Sequence, residues 1–490
     1  MKKSYTLVLL FIVFIAYRLY FLFTFPPFTD ESLYIRWGQL MIYNPNFRWA
    51  SLTFVSRQPL AMWLFGIGSF IFHHPLYGAR LMVFLVNIPV FFILSDVMKR
   101  SYPERVRHIA LALLAVSPLF ILTQTLALMD GLLFAVSCYT LWLILQPWKK
   151  KIPVQIPVIA VFLGIALWIK TTAFLIVLLA TLGLLWKRLR GDISTTQVTI
   201  GIAMWCLGPA LIILPLVLQP NFSNILHEPD FFVFTAKELF QFPVAVWFRN
   251  FLVTPVVLLL YLNPLIIFLA YPIRFPKLKD RTVLFMIWLF IPIAITIFIG
   301  KNILARYYII GMIGILPLLA VMTAIFFNRV KWKFAPVVAF CLFSIWGLFF
   351  IVNPAGYFHL FPNAVHEQNY AISWTSGYGI PELVSWIDTH VPHDKILLLA
   401  VADSPGNPSD YLLTYYYFKP YVRIIFATMT NIHDFRKLEP ITEKGSLYLA
   451  TRLSLITPET QPYLTPIIIF NKPYNEDAIG LYQISFTASH

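Results

Sequence analysis

The chain has 490 residues, of which 59% are hydrophobic, 17% aromatic and only 12% charged, with a formal net charge of +15. A single soluble core could not bury so much apolar surface, so the composition excludes an ordinary soluble domain and indicates a polytopic membrane protein. The positive charge does not point to nucleic acid, because Lys and Arg stand in short patches between apolar runs, as membrane-orientation signals do.

Apolar runs of spanning length follow one another up to residue 352. The first is expected to be an uncleaved span, because it is longer than the apolar region of a signal peptide. The fifth and sixth runs are short, and a single re-entrant hairpin is an alternative for them. The eleven runs cover about 5–24, 79–98, 106–124, 128–146, 154–169, 172–186, 197–218, 251–272, 283–300, 307–327 and 334–352.

Basic segments flank every second boundary between these runs. Because positive residues stay on the cytoplasmic side, we expect a cytoplasmic N-terminus and an extracytoplasmic C-terminus. The expected location is the plasma membrane. The segments are "MKK" at the start, "KRSYPERVR" (99–107), "PWKKK" (147–151), "WKRLR" (186–190), "IRFPKLKDR" (273–281) and "NRVKWK" (328–333).

Two parts of the chain depart from this pattern. The external segment 25–78 mixes apolar and polar residues, which predicts helices lying along the membrane interface. After residue 352 charge, Asn, Gly and Pro return, and apolar strand-like runs alternate with helix-like ones such as "PELVSWIDTHV". The predicted strands are "KILLLAVAD", "YVRIIFATMT", "GSLYLATR" and "PIIIFNKP". The predicted fold is therefore a mainly α membrane domain at 1–352, with about eleven transmembrane helices, followed by a small extracytoplasmic α/β domain at 353–490.

Ionisable residues near apolar runs are costly, so each is a functional candidate, with structural pairing as the alternative. On the predicted topology seven of them lie on the external side. Two are the adjacent acids Asp30 and Glu31, in "FTDESLYIRW", for which the alternative is helix capping. On a helix these carboxylates point about 100 degrees apart, so one can face a cavity while the other braces it. The full set is Asp30, Glu31, Arg57, Asp130, Lys170, Lys301 and Arg306, with Tyr307 beside the last.

Each of the other residues has a functional and a structural interpretation. Asp130 stands alone in "TLALMDGLLF" and needs a cation as partner, which could be Arg57, Lys170 or a bound ion. Lys170 either neutralises a phosphate or extends its amine to the surface. Arg57 either contacts substrate or a lipid headgroup, and Arg306 is suited to grip a phosphate through a bidentate contact. Together they predict a cavity for an anionic lipid-phosphate donor, with a carboxylate as general base.

Five stretches of the sequence resemble motifs of the GT-C membrane glycosyltransferases, in particular the protein O-mannosyltransferase and lipid A aminoarabinose transferase branch (glycosyltransferase families 39 and 83). The resemblance covers about residues 1–330, and the C-terminal segment fits less specifically. The stretches are "TDESLY", "SRQPLAMWLFG" followed by "ARL", "ALMDGLLF", "GIALWIKTTAFLIVLLA" and "ARYYIIGMIGILPLLAV".

This resemblance implies transfer of a sugar from a polyprenyl-phosphate carrier to an external protein, lipid or glycan acceptor, with inversion at the anomeric carbon. It implies that Asp30 is the catalytic acidic residue that assists the acceptor nucleophile, supported by Glu31. It also implies that Asp130 is the second acidic position and that Lys170 and Arg306 hold the phosphate. Arg57 takes the place of a family lysine, although "RQP" replaces the usual Lys-Pro-Pro. No cofactor is certain. A divalent cation, Mg or Mn, at Asp30 and Asp130 stays open.

The main rival is a lipid-linked glycan flippase or secondary transporter. Transporters favour charged or broken helices near the bilayer midplane and internal repeats. The charges of this chain lie at the external ends of the runs and no repeat is apparent, so glycosyl transfer is the favoured prediction.

Overall fold

The computed structural model describes residues 2–148, 153–227, 232–264, 266, 280–330, 335–363, 365–390, 396–404, 406–442, 446–475 and 477–486. The described residues do not include parts of three basic segments named above, at 149–151, 273–279 and 331–333. They also do not include the end of the predicted run 251–272.

Helices make up the described part of the chain up to residue 352. They are α1 (Lys2–Thr24), α2 (Thr29–Tyr43), α3 (Ala50–Phe54), α4 (Leu60–Ile71), α5 (Pro75–Ser101), α6 (Glu104–Val116), α7 (Pro118–Thr125), α8 (Met129–Leu145), α9 (Gln155–Ile169), α10 (Phe174–Leu189), α11 (Thr195–Val217), α12 (Asn224–His227), α13 (Ala236–Phe240), α14 (Val244–Leu262), α15 (Asp280–Ile299), α16 (Ile309–Met312), α17 (Ile315–Val330) and α18 (Ala335–Val352).

Among the described residues, six helices are long and apolar enough to cross a membrane, and eight if each of two bent pairs counts as one span. Shorter apolar helices such as α9 account for further predicted runs. The 15 residues of α9 reach about 22 Å, less than the roughly 30 Å of a bilayer core. The prediction of a polytopic helical protein is confirmed, but several runs are short or broken helices.

The third predicted run is broken between α6 and α7, which meet at an angle of 59°. Pro118 has no N–H to donate to the carbonyl of Leu114, so the helix cannot continue through it. Arg18 of α1 is fully buried and donates to the carbonyls of Leu114 (2.8 Å) and Ala115 (3.0 Å), and to Gln124 Oε1 (2.8 Å). This arginine therefore satisfies the backbone that the break leaves open.

The tenth predicted run is broken as well. A 3₁₀ turn at Ala305–Tyr308 and α16 together meet α17 at 76°. Arg306 lies in the 3₁₀ turn, at the start of this run.

The segment 25–78, which the sequence predicts to be external, contains α2, α3 and α4, and helices were predicted there from its mixed composition. Helices α2 and α4 pack closely at Gly38 and Gly66, where a Cβ on either residue would overlap the backbone of the other helix. The segment is thus a packed helical layer, and the first turn of α2 within it carries Asp30 and Glu31.

Helix α14 packs against α15 and α18. Asn250 donates to the carbonyl of Gly300 (2.8 Å), just after α15, and the carbonyl of Leu260 accepts from Trp346 of α18 (2.8 Å) and from Tyr357 (3.0 Å), just after α18. Asn250 and Leu260 are about 15 Å apart along α14, about half the thickness of a bilayer core, and α14 is one of the six helices long enough to cross it.

The C-terminal part forms a five-stranded sheet with helices. Its strands β1 (Leu397–Ala402), β2 (Val422–Ala427), β3 (Leu447–Arg452), β4 (Leu464–Asn471) and β5 (Ala478–Ile484) lie in the order β2-β1-β3-β5-β4. Strand β1 pairs in parallel with β2 and β3, whereas β5 pairs antiparallel with β3 and β4. Its helices are α19 (Pro354–Phe358), α20 (Ile380–His390), α21 (Ser409–Tyr415), α22 (Ile432–Phe435) and α23 (Glu439–Thr442).

Helix α21 attaches this sheet to α2. Asn407, just before α21, donates to the carbonyl of Pro27 (3.1 Å), and the Thr414 hydroxyl donates to the carbonyl of Ser32 (2.9 Å). Gln39 in turn donates to the carbonyl of Thr414 (3.1 Å). Helix α21 therefore lies alongside α2.

Candidate active site

The two acids at the start of α2 have different surroundings. The Asp30 side chain is 29% exposed, and its Oδ2 accepts from Nη1 of Arg306 at 2.8 Å. The Glu31 side chain is fully buried. Of the two, Asp30 is thus the carboxylate open to solvent.

Glu31 is held by a bidentate ion pair with Arg80 of α5, which joins Nε to Oε1 (2.8 Å) and Nη2 to Oε2 (2.6 Å). Glu31 also accepts from the backbone N–H of Ala127 (2.8 Å) and of Phe28 (3.2 Å). Arg80 donates further to the carbonyls that end α1, Leu22 among them. A carboxylate satisfied in this way fixes α1, α2, α5 and α8 against one another.

Asp130, in the first turn of α8, pairs with Lys170 between α9 and α10. Their Oδ1 and Nζ atoms are 2.7 Å apart, and the two side chains are 7% and 16% exposed. Gly131 allows α8 to approach α7, because a Cβ there would overlap the carbonyl oxygen of Thr123. The sequence analysis named Lys170 as one possible partner of Asp130.

Tyr307 lies between the two ion pairs. Its ring centroid is 5.4 Å from the Lys170 amine and 5.7 Å from the Arg306 guanidinium, so the ring contacts both cations. Tyr34, one turn along α2, belongs to the same cluster. Burial raises the pKa of its hydroxyl and the charge of Asp30 adds to the rise, whereas Arg57 and Arg306 oppose it.

Arg57 is close enough for its charge to act on Tyr34. It follows Ser56, whose φ of 51° is in the left-handed region, and its N–H donates to the carbonyl of Ser51 (3.0 Å). The next residue, Gln58, is buried and donates to the Thr171 hydroxyl (2.9 Å), beside Lys170. Lys301, in contrast, pairs with Glu238 at 2.7 Å, apart from this cluster.

The turn that carries Arg306 is fixed by Glu367, which follows α19. Glu367 is fully buried and accepts from the backbone N–H of Ala305 (2.5 Å) and from the Tyr261 hydroxyl. Burial raises the pKa of its carboxyl to about 7, against the hydrogen bonds that favour ionisation. Sequence analysis missed this residue, which stands in a polar stretch without any apolar pattern.

The C-terminal part adds another carboxyl group. Asp410 in α21 accepts from the N–H of Gly406 at 2.8 Å. Burial raises the pKa of Asp410 to about 6, and the nearby charge of Asp30 contributes to that rise. Beside it Arg452, at the end of β3, lies over the ring of the half-exposed Trp374 at 5.2 Å. No sequence signal linked these residues to Asp30, whereas Arg80 had one, as a lone arginine in an apolar helix.

The described residues do not fit a divalent cation at Asp30 and Asp130. Each of these carboxylates is paired with a basic side chain, and no group of three or more His, Cys, Asp or Glu residues in the described ranges could hold a metal ion. We derive no step through a metal.

Known protein families and solved structures are similar to this chain. Residues 56–215 match the model of the dolichyl-phosphate-mannose-protein mannosyltransferase family. None of the curated protein sequences compared with the chain matches it.

Solved structures are similar over nearly the whole chain. ArnT from Cupriavidus metallidurans bound to undecaprenyl phosphate matches with a TM-score of 0.56 and 13% identity over 96% of this chain and 97% of that one. Its apo state matches with a TM-score of 0.53 and 14% identity, over 96% and 97%. The Archaeoglobus fulgidus oligosaccharyltransferase in complex with Zn and sulfate matches with a TM-score of 0.50 and 12% identity, over 95% and 72%.

Because these structures share only 12–14% sequence identity with the chain, their similarity shows its fold alone. The predicted resemblance is confirmed: the chain is a multi-pass membrane protein with the fold of the GT-C glycosyltransferases, and its residues 56–215 match the dolichyl-phosphate-mannose-protein mannosyltransferase family.

Proposed function

We propose that the chain transfers a sugar from a polyprenyl-phosphate carrier to an acceptor hydroxyl or phosphate on the extracytoplasmic side of the plasma membrane. The observation that carries the proposal is the arrangement of two ion pairs, Asp30–Arg306 and Asp130–Lys170, around the ring of Tyr307. Acceptors in this class are proteins, lipids or glycans.

The cations of the cluster suit the donor phosphate. Arg306 uses one nitrogen for Asp30, while its buried Nε has no hydrogen-bond partner within the described residues. A guanidinium has five donors, so Arg306 can hold Asp30 and a phosphate together. Lys170 supplies a second positive charge, and Arg57 a third nearby.

Asp30 suits the acceptor. Its Oδ2 is bound to Arg306, and the side chain is open to solvent. The described residues place no hydrogen-bond donor on its other oxygen, which leaves that oxygen to accept a proton from an incoming hydroxyl. Glu31 acts as a positioning residue, since its ion pair with Arg80 fixes the turn of α2 that carries Asp30.

The proposed reaction is a displacement at the anomeric carbon. The acceptor oxygen forms a bond to that carbon and gives its proton to Asp30, while the bond to the phosphate oxygen breaks. The electron pair goes to the phosphate, where Arg306 and Lys170 stabilise the developing charge, and the configuration at carbon inverts. The products are the glycosylated acceptor and polyprenyl phosphate.

The proposal includes the domain boundaries and the orientation of the chain in the membrane. Residues 1–352 form the membrane domain, and residues 353–490 form an extracytoplasmic domain whose α21 lies beside α2. The positive segments place the N-terminus in the cytoplasm. With Asp30 external, the acceptor reaches it from outside the cell.

A transfer assay in proteoliposomes tests the proposal. With radiolabelled sugar on a polyprenyl-phosphate donor and an envelope extract as acceptor, Asp30→Asn is expected to lower transfer at least 100-fold. The matched control is Asp434→Asn, which removes an acid from an exposed ion pair with Lys437 and is expected to leave transfer unchanged. Equal transfer by the wild type and Asp30→Asn contradicts the role of Asp30. Movement of the donor across the bilayer without transfer favours the flippase instead.

A further inference from the structure

A cavity of about 490 Å³ lies at the ends of α5, α8, α10 and α15. We call it the basic cavity, because four basic side chains, Arg100, Lys187, Arg190 and Arg281, line it with one acid, Asp192. Helix α8 has 17 residues and carries Asp130 in its opposite end turn, so about 25 Å separates the cavity from the candidate active site.

The charges of this cavity are incompletely neutralised. Arg190 pairs with Asp192 at 3.5 Å, and Arg100 pairs with Asp96 of its own helix at 2.8 Å. Among the described residues, Lys187 donates to a carbonyl, that of Gln146. In the same part of the structure Arg281 donates to the carbonyl of Arg100 and the Ser101 hydroxyl. Within the described residues, the hydrogen bonds of Lys187 and Arg281 thus go to neutral groups, and the carboxylate whose charge acts on Lys187 is that of Asp192.

Burial makes this arrangement costly. Lys187 is only 4% exposed, and its amine lies 5.1 Å from the ring centroid of Trp148. A buried cation without a carboxylate is stabilised by a bound anion. Orientation signals require basic residues in the flanks of a span, but they do not require that a lysine be enclosed in a cavity.

We propose that the basic cavity binds the phosphate group of an anionic phospholipid headgroup. Its volume is in the range of small-molecule sites, and basic pockets between membrane helices suit anionic headgroups. Trp148 and Trp186 line it, as expected at the level of the interface where headgroups lie. Lys187 and Arg281, from different helices, supply the two cations for the phosphate.

The test measures thermal unfolding of the full-length protein in a neutral detergent with added phosphatidylglycerol, phosphatidylcholine or inorganic phosphate. Phosphatidylglycerol is expected to raise the melting temperature of the wild type, and phosphatidylcholine is not. Lys187→Gln/Arg281→Gln is expected to bind phosphatidylglycerol about tenfold more weakly. The amide introduced at position 187 can keep the bond to the Gln146 carbonyl.

The matched control is Lys99→Gln/Arg188→Gln, which removes the same charge from exposed neighbours outside the cavity. It is expected to respond as the wild type does. If the cavity variant does not fold, the single variants Lys187→Gln and Arg281→Gln replace it, each with an expected loss of about threefold.

The three additions separate the sources of the phosphate. A response to phosphatidylglycerol alone supports a lipid headgroup. A response to inorganic phosphate that competes with the lipid supports the phosphate site but assigns it to a soluble ligand. The proposal is wrong if neither phosphatidylglycerol nor inorganic phosphate raises the melting temperature of the wild type. It is also wrong if the cavity variant and the control lose their response to phosphatidylglycerol equally.

Discussion

The two ends of α8 and α10 differ in how their charges are balanced. At the end that carries the candidate active site, Asp130 pairs with Lys170 and Asp30 with Arg306. At the opposite end, Lys187 and Arg281 donate to neutral groups of the described structure. Paired charges hold a site in shape before a substrate arrives, whereas a buried cation without a carboxylate is most stable with an anion bound.

The largest expected effect concerns the buried pair that supports the first end. Glu31→Ala leaves Arg80 charged, buried and unpaired, which is expected to lower the free energy of unfolding by about 3–5 kcal/mol. Thermal unfolding in detergent measures it. Glu104→Ala, which removes an acid paired with Arg107 at 3.6 Å in a partly exposed position, is the control, with an expected loss below about 1 kcal/mol. Similar losses in both variants would show that Glu31 does not brace α2.

A second experiment compares the two ends directly. Lys170→Met leaves Asp130 buried without its cation and is expected to cost about 3 kcal/mol or more. Lys187→Met removes a buried cation that has a carbonyl partner, and in neutral detergent it is expected to change stability by less than about 1 kcal/mol. A larger loss for Lys187→Met than for Lys170→Met would overturn the comparison.

The third prediction concerns Arg306. Arg306→Gln removes the charge that faces both Asp30 and the proposed donor phosphate, so transfer is expected to fall about 100-fold, mainly in kcat. Arg306→Lys keeps the charge without the bidentate geometry and is expected to recover part of the rate. Steady-state kinetics in proteoliposomes measures both variants. Equal rates for Arg306→Gln and wild type would remove Arg306 from the mechanism.

The smallest effect is a pH dependence at Asp410. Burial raises the pKa of this carboxyl to about 6, so its ionised form is less stable in the folded than in the unfolded chain. The penalty is absent below the unfolded pKa, develops as pH rises toward 6 and is constant above it. Asp410→Asn is therefore expected to stabilise the protein by about 1–3 kcal/mol near neutral pH, and not below about pH 4.

Unfolding midpoints measured across that range test the prediction. Asp403→Asn, at an exposed acid near the end of β1, serves as the control. Its effect on stability is not expected to grow between about pH 4 and pH 6 as that of Asp410→Asn does. A stability gain for Asp410→Asn that is independent of pH contradicts the assigned cause.

The C-terminal sheet shows how far the sequence reaches. The strands β1 to β4 correspond to apolar runs that predict them, but β5, "AIGLYQI", was not predicted. It is a central strand between β3 and β4, and its apolar residues follow no simple alternation because nearly all of them are buried. Sequence analysis therefore predicted an α/β domain without the strand that joins its two halves.

Composition and apolar run length determined that this chain crosses a membrane with many helices, because neither a soluble core nor exposure to water accommodates such runs. The lone charges identified residues that needed partners. The tertiary structure decided which partners they received: Glu31 went to Arg80, Asp130 to Lys170 and Asp30 to Arg306. It did so because broken helices and a packed helical layer bring together residues as far apart in sequence as 30 and 306, and no local pattern encodes that distance.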